Sequence, residues 1–194
     1  MINMFFAFIG AAFISNFVLT QFLGLCPFFG VSKKTEMALG MGLAVLFVMT
    51  LASIMTFPIY HFVLVPLNIT HLQTIVFILI IASTVQFVEV FMKKALTALY
   101  DMLGLYLPLM ATNCAIMGVA LINIQSEFTF IEAIVNSLGA GFGFLLAIVL
   151  LAGVREKYDH NTDVPEIFKG FPLALFAAGL MSIAFMGFQG LILG

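Results

Sequence analysis

The chain has 194 residues, of which 63% are hydrophobic and only 8% charged, against about 25% charged in an ordinary soluble domain. This composition excludes a water-soluble globular protein and indicates an integral membrane protein. The formal net charge of −2 comes without a basic patch, which argues against nucleic-acid binding.

Read in order, the chain offers six apolar segments near the roughly 20 residues that a membrane span requires. The first runs from about Met4 to Phe22 and continues past a break at Gly24 and Pro27 to Val31. No Lys or Arg precedes it, unlike a secretory signal, so it is expected to stay as a span. The second covers about Met37–Phe57 and is expected to end at Pro58. The third covers about Leu72–Met92, and the fourth about Leu99–Ile122 with its own break near Cys114. The fifth covers about Phe130–Val154 and the sixth about Phe171–Leu193. The expected fold is therefore all-α and integral to the membrane: one membrane domain, residues 1–194, with six transmembrane helices.

The seven Lys and Arg residues fall in alternate loops: Lys33 and Lys34, then Lys93 and Lys94, then Arg155, Lys157 and Lys169. The positive-inside rule places these loops in the cytoplasm and both termini outside. The polar stretch of about fifteen residues after Val154 is the largest hydrophilic surface and the expected docking point for a peripheral partner.

Two stretches stand out, Cys26-Pro27-Phe28-Phe29-Gly30-Val31 and Cys114-Ala115-Ile116-Met117-Gly118-Val119. Both read Cys-x-x-x-Gly-Val, both lie at a break, and they hold the only two cysteines. Each is followed by a glycine-spaced segment, Gly40 and Gly42 in one case, Gly139, Gly141 and Gly143 in the other. Three spans per half make the second half enter the membrane from the opposite side. The pattern is an inverted 3+3 repeat, with halves at about 1–97 and 98–194 and with helices one and four broken. Pro favours the first turn of a helix and Asn its cap, so half-helices are expected to begin with Cys26 as a cap and, after Asn113, at Cys114. Helix N-termini favour anionic ligands such as thiolates.

One cysteine in a span is a small hydrophobe; a matched pair at matched breaks points to ligands. Two thiolates do not complete an iron–sulfur or structural zinc site, which takes four. His61 and His71 are expected in the loop between spans two and three, away from the breaks. A metal site would therefore take two ligands from a second chain, and zinc, which carries no electrons, would serve only as a staple. Glu89 and Lys93 read as an i,i+4 pair, and Glu132 and Asp101 as interfacial anchors. Asn16, Thr20, Gln21, Gln86, Thr112 and Asn113 read mostly as hydrogen-bonding groups between helices. Gly139 and Gly143 suit close helix packing; no strand precedes them, so they are not a dinucleotide fingerprint.

The run from Phe22 through Lys34 strongly resembles the first cysteine motif of the A-type chains of Rnf electron-transport complexes, and the run from Leu107 through Ala120 resembles their second. Asp163-Val164-Pro165 and the run from Ala178 through Phe188 are similar to the closing stretch of that family. The corresponding chain of the sodium-pumping NADH:quinone oxidoreductase is a near relative. The resemblance spans nearly the whole chain. It implies a bacterial inner-membrane component of an ion-translocating ferredoxin:NAD⁺ oxidoreductase, with no complete active site of its own. It implies that Cys26 and Cys114 bind the iron of an intramembrane [2Fe–2S] cluster shared with a homologous, oppositely oriented E-type subunit. It also implies further Rnf subunits carrying flavin and iron–sulfur groups, and coupling to Na⁺ or H⁺. Broken helices and inverted repeats also occur in secondary transporters, the alternative reading, which predicts solute binding by the chain alone and tolerance of Cys→Ser at both sites. A purely structural subunit, its thiols packing groups, is the third.

Overall fold

The computed structural model describes residues 8–10, 12, 16–66, 70–95, 110–159 and 170–189. Every regular element among them is helical. In chain order they are α1 (Phe17–Thr20), α2 (Leu25–Val31), α3 (Thr35–Ile59), α4 (Gln73–Ala95), α5 (Cys114–Gln125), α6 (Phe130–Asp159) and α7 (Phe171–Gln189). Among the described residues, three stretches are long and apolar enough to cross a bilayer: Thr35–Leu64, Gln73–Lys94 and Phe130–Tyr158. Cys114–Gln125 and Phe171–Gly187 are shorter apolar helices. Most of the expected first span before Asn16 lies outside the described residues, as do the start of the fourth with Asp101, the polar loop over 160–169 and the end of the sixth. The outward faces of α4 and α7 carry Ile75, Leu79, Phe87, Phe176, Leu180 and Ile183, all exposed. Water would not tolerate so large an apolar surface, whereas lipid is its natural solvent.

The bundle is built on α3 and α6, which run antiparallel along their whole length. Thr35 Oγ1 donates to Glu156, Ser53 meets Ser137 through their hydroxyls, and Phe57 packs edge-on against Phe130 with ring centroids 5.5 Å apart. Between these pairs the contact is too tight for side chains on one partner. A methyl group built on Gly42 would lie 3.1 Å from Leu145 Cα, and one on Gly141 would lie 2.9 Å from Leu46 Cα. Glycine at such crossings lets backbones approach and dispersion contacts accumulate. Gly143 serves another neighbour, since a methyl there would meet the Ala12 carbonyl oxygen at 2.7 Å. α4 and α5 pack on α3, and α7 packs on α1 and α6. Met41, Val45, Met49, Phe144 and Ile148 fill the core between them.

Two expected boundaries move. Pro58 does not end the second span; it lies inside α3, which passes into a π-helical turn at Tyr60–Leu64. Proline removes one N–H and crowds the carbonyl four residues back, and a local widening of the helix re-satisfies backbone groups that hydrocarbon would leave bare. His61 thereby sits in this turn rather than in a loop, stacked on Phe57 at 5.8 Å. At the other end of the bundle α6 does not stop near Val154 but continues to Asp159, so the first residues of the expected loop are helical. Its 30 residues make a rod about 45 Å long, enough to carry the charged last turn beyond a hydrocarbon layer of about 30 Å. Its first turn is capped by Glu132, whose Oε2 accepts from Thr129 N at 3.0 Å and from Thr129 Oγ1 at 2.8 Å. This is one arm of a capping box, a more specific role than an interfacial anchor.

The α3–α6 contact makes a direct prediction. Gly141→Ala should lower the stability of the detergent-solubilised protein by about 1–3 kcal/mol, the usual cost of overpacking. Gly153→Ala, where the added methyl meets nothing within 4 Å, should change it by no more than about 0.5 kcal/mol. Thermal unfolding of the two variants side by side checks this.

Candidate metal centre

The first break is made by backbone geometry. Asn16 caps α1, its Oδ1 accepting from Val18 N at 3.2 Å, while its Nδ2 donates across the bundle to Gly143 O at 2.9 Å. Ser182 Oγ donates to Leu19 O at 2.6 Å, tying α1 to α7. The chain then turns through two left-handed residues, Phe22 (φ 57°) and Gly24 (φ 84°), before α2 begins at Leu25. The residue at the cap is thus Gly24, and Cys26 is the second residue of the helix, a correction to the expected cap. The physical reason is steric. A side chain at Gly24 would meet Ala115 Cβ at 3.0 Å, Phe144 Cε2 at 3.2 Å and Asn113 Oδ1 at 3.3 Å, and left-handed backbone is cheap only for glycine. Pro27 falls in the first turn, where its missing N–H breaks no intrahelical bond. Phe28 is fully buried and anchors α2 in the core.

The second break matches expectation. Asn113 caps α5 with its Oδ1 accepting from Ala115 N at 3.0 Å, and Cys114 is the first helical residue.

The two breaks lie against each other. The backbone N–H of Gly24 donates to Cys114 Sγ at 2.9 Å. Next to it, Leu23 Cδ1 fills the space that a methyl on Gly118 would need, at 2.7 Å. Residues 23 and 24 of the first motif therefore pack directly on residues 113–118 of the second. Cys26 and Cys114 are both free thiols and both exposed, unusual for a residue type that is among the most buried. Among the described residues no group of three or more His, Cys, Asp or Glu side chains comes together. A four-ligand centre at these thiols thus requires ligands from elsewhere.

One polar atom here is unsatisfied. Asn113 is 3% exposed, and its Nδ2 is buried with no hydrogen-bond partner, beside a cavity of about 150 Å³ lined by Ile78, Ile81, Ala111, Thr112, Asn113 and Met117. An orphaned buried donor is costly unless something accepts from it. Two exposed free thiols and a backbone N–H already directed at one of the sulfurs fit an anionic, sulfur-rich group; the Asn113 amide faces no cysteine-lined space.

Some polar groups that organise the bundle escape a reading of the sequence. Arg155 Nη1 donates to Phe29 O at 2.9 Å and to the buried Ser32 Oγ at 2.8 Å, holding the far end of the Cys26 helix. Ser53, Asn123, Asn136 and Ser137 form a hydrogen-bonded cluster between α3, α5 and α6. Their signal is present, as Asn and Ser inside apolar runs, but small hydroxyls there resemble packing residues. Of the six polar residues singled out, Asn16 makes the bond between helices; Thr20 Oγ1 returns to Asn16 O at 2.7 Å, and Asn113 caps its own helix. Gln21, Gln86 and Thr112 are exposed.

A sequence profile described as "Rnf-Nqr subunit, membrane protein" matches residues 4–192. The chain belongs to the Rnf-Nqr family of membrane proteins. It is 58% identical to the A-type chain of the "Na(+)-translocating ferredoxin:NAD(+) oxidoreductase complex" of Acetobacterium woodii, over 97% of this chain and 98% of that one. It is 54% identical to the A-type chain of the "Ion-translocating oxidoreductase complex" of Sodalis glossinidius, over 95% of each. It is 49% identical to the A-type chain of the "Proton-translocating ferredoxin:NAD(+) oxidoreductase complex" of Clostridium ljungdahlii, again over 95% of each.

The packing at Gly24 is testable. Gly24→Ala should destabilise the protein by about 1–3 kcal/mol through backbone strain alone, with crowding against Ala115 in addition. Gly170→Ala, also at positive φ (99°) but in open space, should cost less. Equal losses in thermal unfolding would mean that contact with the second motif contributes nothing.

Proposed function

We propose that this chain is the A-type electron-transfer component of an ion-translocating ferredoxin:NAD⁺ oxidoreductase. In this reading Cys26 and Cys114 are two of the four ligands of an intramembrane [2Fe–2S] cluster. The observation that carries it is the hydrogen bond from Gly24 N–H to Cys114 Sγ, which joins the two cysteine-bearing breaks into one surface. Both thiols are exposed there, as groups awaiting a second chain would be. The names of the relatives in Acetobacterium woodii and Clostridium ljungdahlii supply the reaction and the class of translocated ion, a monovalent cation.

The partner of this reading is a homologous six-span subunit of opposite orientation with the same two cysteines; further subunits would bring flavin and iron–sulfur groups. Support for an inverted repeat comes from the reciprocal contacts of Gly42 with Leu145 and of Gly141 with Leu46. In each pair the glycine of one half meets the leucine of the other, as a two-fold axis in the membrane plane would produce. The alternation of basic loops supports a bacterial inner-membrane setting with the Arg155 end of the bundle in the cytoplasm and both termini outside.

The bound cluster would supply a one-electron carrier within a hydrocarbon layer that soluble cofactors cannot cross. The protein's part is positional. Cys26 and Cys114 bind as thiolates. The Gly24 N–H orients the Cys114 sulfur. Potentials of such centres follow hydrogen bonds to sulfur, and this one reaches the Cys114 sulfur from Gly24. Phe28 and Arg155 fix the two ends of α2, and so the position of Cys26.

The decisive experiment is Cys26→Ser and Cys114→Ser, singly, in the intact purified complex. Each variant should assemble, lose the iron and the paramagnetic signal of one [2Fe–2S] centre, and lose ferredoxin-dependent NAD⁺ reduction. Retention of that iron and signal in either variant would overturn the proposal.

A further inference from the structure

At the end of the bundle away from Arg155, the end of α3 with its π-helical turn, the end of α5 and the residues just before α6 border an open cavity of about 380 Å³. It is lined by Tyr60 and His61 of the π-helical turn, by Phe57 and Val65, and by Asn123, Ile124, Glu127 and Phe128 around the end of α5. We infer that this cavity is a vestibule for the translocated monovalent cation, with Glu127 as its charge and the Asn123 cluster as its floor. The inference rests on the function proposed above and adds a location to it.

Four observations converge. First, the floor is polar and deeply buried. Asn123 is 3% exposed, and its Nδ2 lies within hydrogen-bond distance of Ser53 Oγ (3.2 Å), Ser137 Oγ (3.0 Å) and Ala133 O (3.3 Å). Its Oδ1 accepts from Asn136 Nδ2 at 2.7 Å, and Ser137 Oγ donates to Ala133 O at 2.7 Å. Three acceptors around a group with two hydrogens form a polar cluster able to exchange one partner for another. Oxygen ligands are also the type that hard cations prefer.

Second, the charge has the right sign. Glu127 is exposed and lines the cavity, and no Lys or Arg occurs from residue 35 to 92 or from 95 to 154, so both connections at this end lack basic residues. A vestibule lined by one carboxylate and no Lys or Arg, with His61 as its only other titratable nitrogen base, raises the local cation concentration. Third, Glu127 sits at φ 51°, a conformation that costs a non-glycine residue free energy and concentrates at functional sites. Fourth, the opposite wall is the π-helical turn after Pro58; π turns within helices are frequent at such sites.

The test uses the whole complex in proteoliposomes, with ²²Na⁺ and, separately, proton movement measured per electron passed from ferredoxin to NAD⁺. Glu127→Gln keeps size and exposure but removes the charge. It should raise the concentration of the transported ion needed for half-maximal transport by about fivefold, the factor that one charge a few ångströms from a cation is worth in water. Ile124→Phe, which narrows the cavity without removing any polar group, should lower the number of ions moved per electron. Both variants should retain the iron content of the wild type. The sodium and proton arms identify the ion, and a response in either supports the site. Wild-type ion dependence in Glu127→Gln, together with a wild-type ion-to-electron ratio in Ile124→Phe, would overturn it. Failure of Ile124→Phe to assemble leaves Glu127→Gln, at an exposed position, to decide. Because iron and electron transfer are read in the same samples, loss of the vestibule proposal leaves the cysteine assignment standing, whereas a wild-type complex without that iron removes the function on which both depend.

Discussion

A backbone amide that donates to a thiol across the bundle is the constraint on which this structure turns. Gly24 N–H to Cys114 Sγ is a single contact of 2.9 Å, yet several unrelated features exist to permit it. Gly24 must be left-handed, it must lack a Cβ, and α5 must begin at Cys114 rather than a residue later. Asn113 secures the last condition by capping α5. Asn16, Ser182 and Phe28 secure the approach of the first motif by pinning the chain on either side of the turn. Each of these is an ordinary device of helix termination or core packing. Their convergence on one sulfur is what separates a site from a pair of interrupted helices.

Much of this is legible in the sequence. Period and composition are strong signals in a membrane protein because lipid forbids irregular backbone except where protein covers it. The helix boundaries near Leu72, Phe130 and Phe171 accordingly fall where apolar runs begin, and the one at Cys114 falls at the break expected inside the fourth run. The meeting of the two cysteine-bearing breaks is legible from their repeated surroundings. The cap at Gly24 is not, because Pro27 gives the louder local signal and the need for a missing Cβ arises only when Ala115 and Phe144 arrive from 91 and 120 residues away. Pro58 misleads for the opposite reason. A proline rule drawn from helices in water overstates the break where a π turn can absorb it. Arg155 and the Ser53–Asn123–Ser137 cluster are illegible because their partners are distant in the chain and chemically ordinary one by one.

Membership of the Rnf-Nqr family rests on similarity over nearly the entire chain, while the site rests on contacts internal to it. The two lines meet at the cysteines. The profile includes both motifs, and the packing makes them neighbours. The chain carries both thiols exposed, beside breaks that touch; in the function proposed above they are the half of a ligand set that a second chain completes.

The long antiparallel pair has a mechanical consequence. α3 and α6 touch backbone to backbone near their middles, through Gly42 and Gly141, and are clasped again where Thr35 meets Glu156 and Phe57 meets Phe130. Two rods fastened at so many stations can neither slide nor splay without breaking several contacts together. They form a keel. Compliance in such a hull belongs to the short pieces slung from it, α1 and the cysteine-bearing α2 and α5; a rearrangement of a few tenths of an ångström there costs one or two polar contacts, while the same shift in the keel would cost the whole seam.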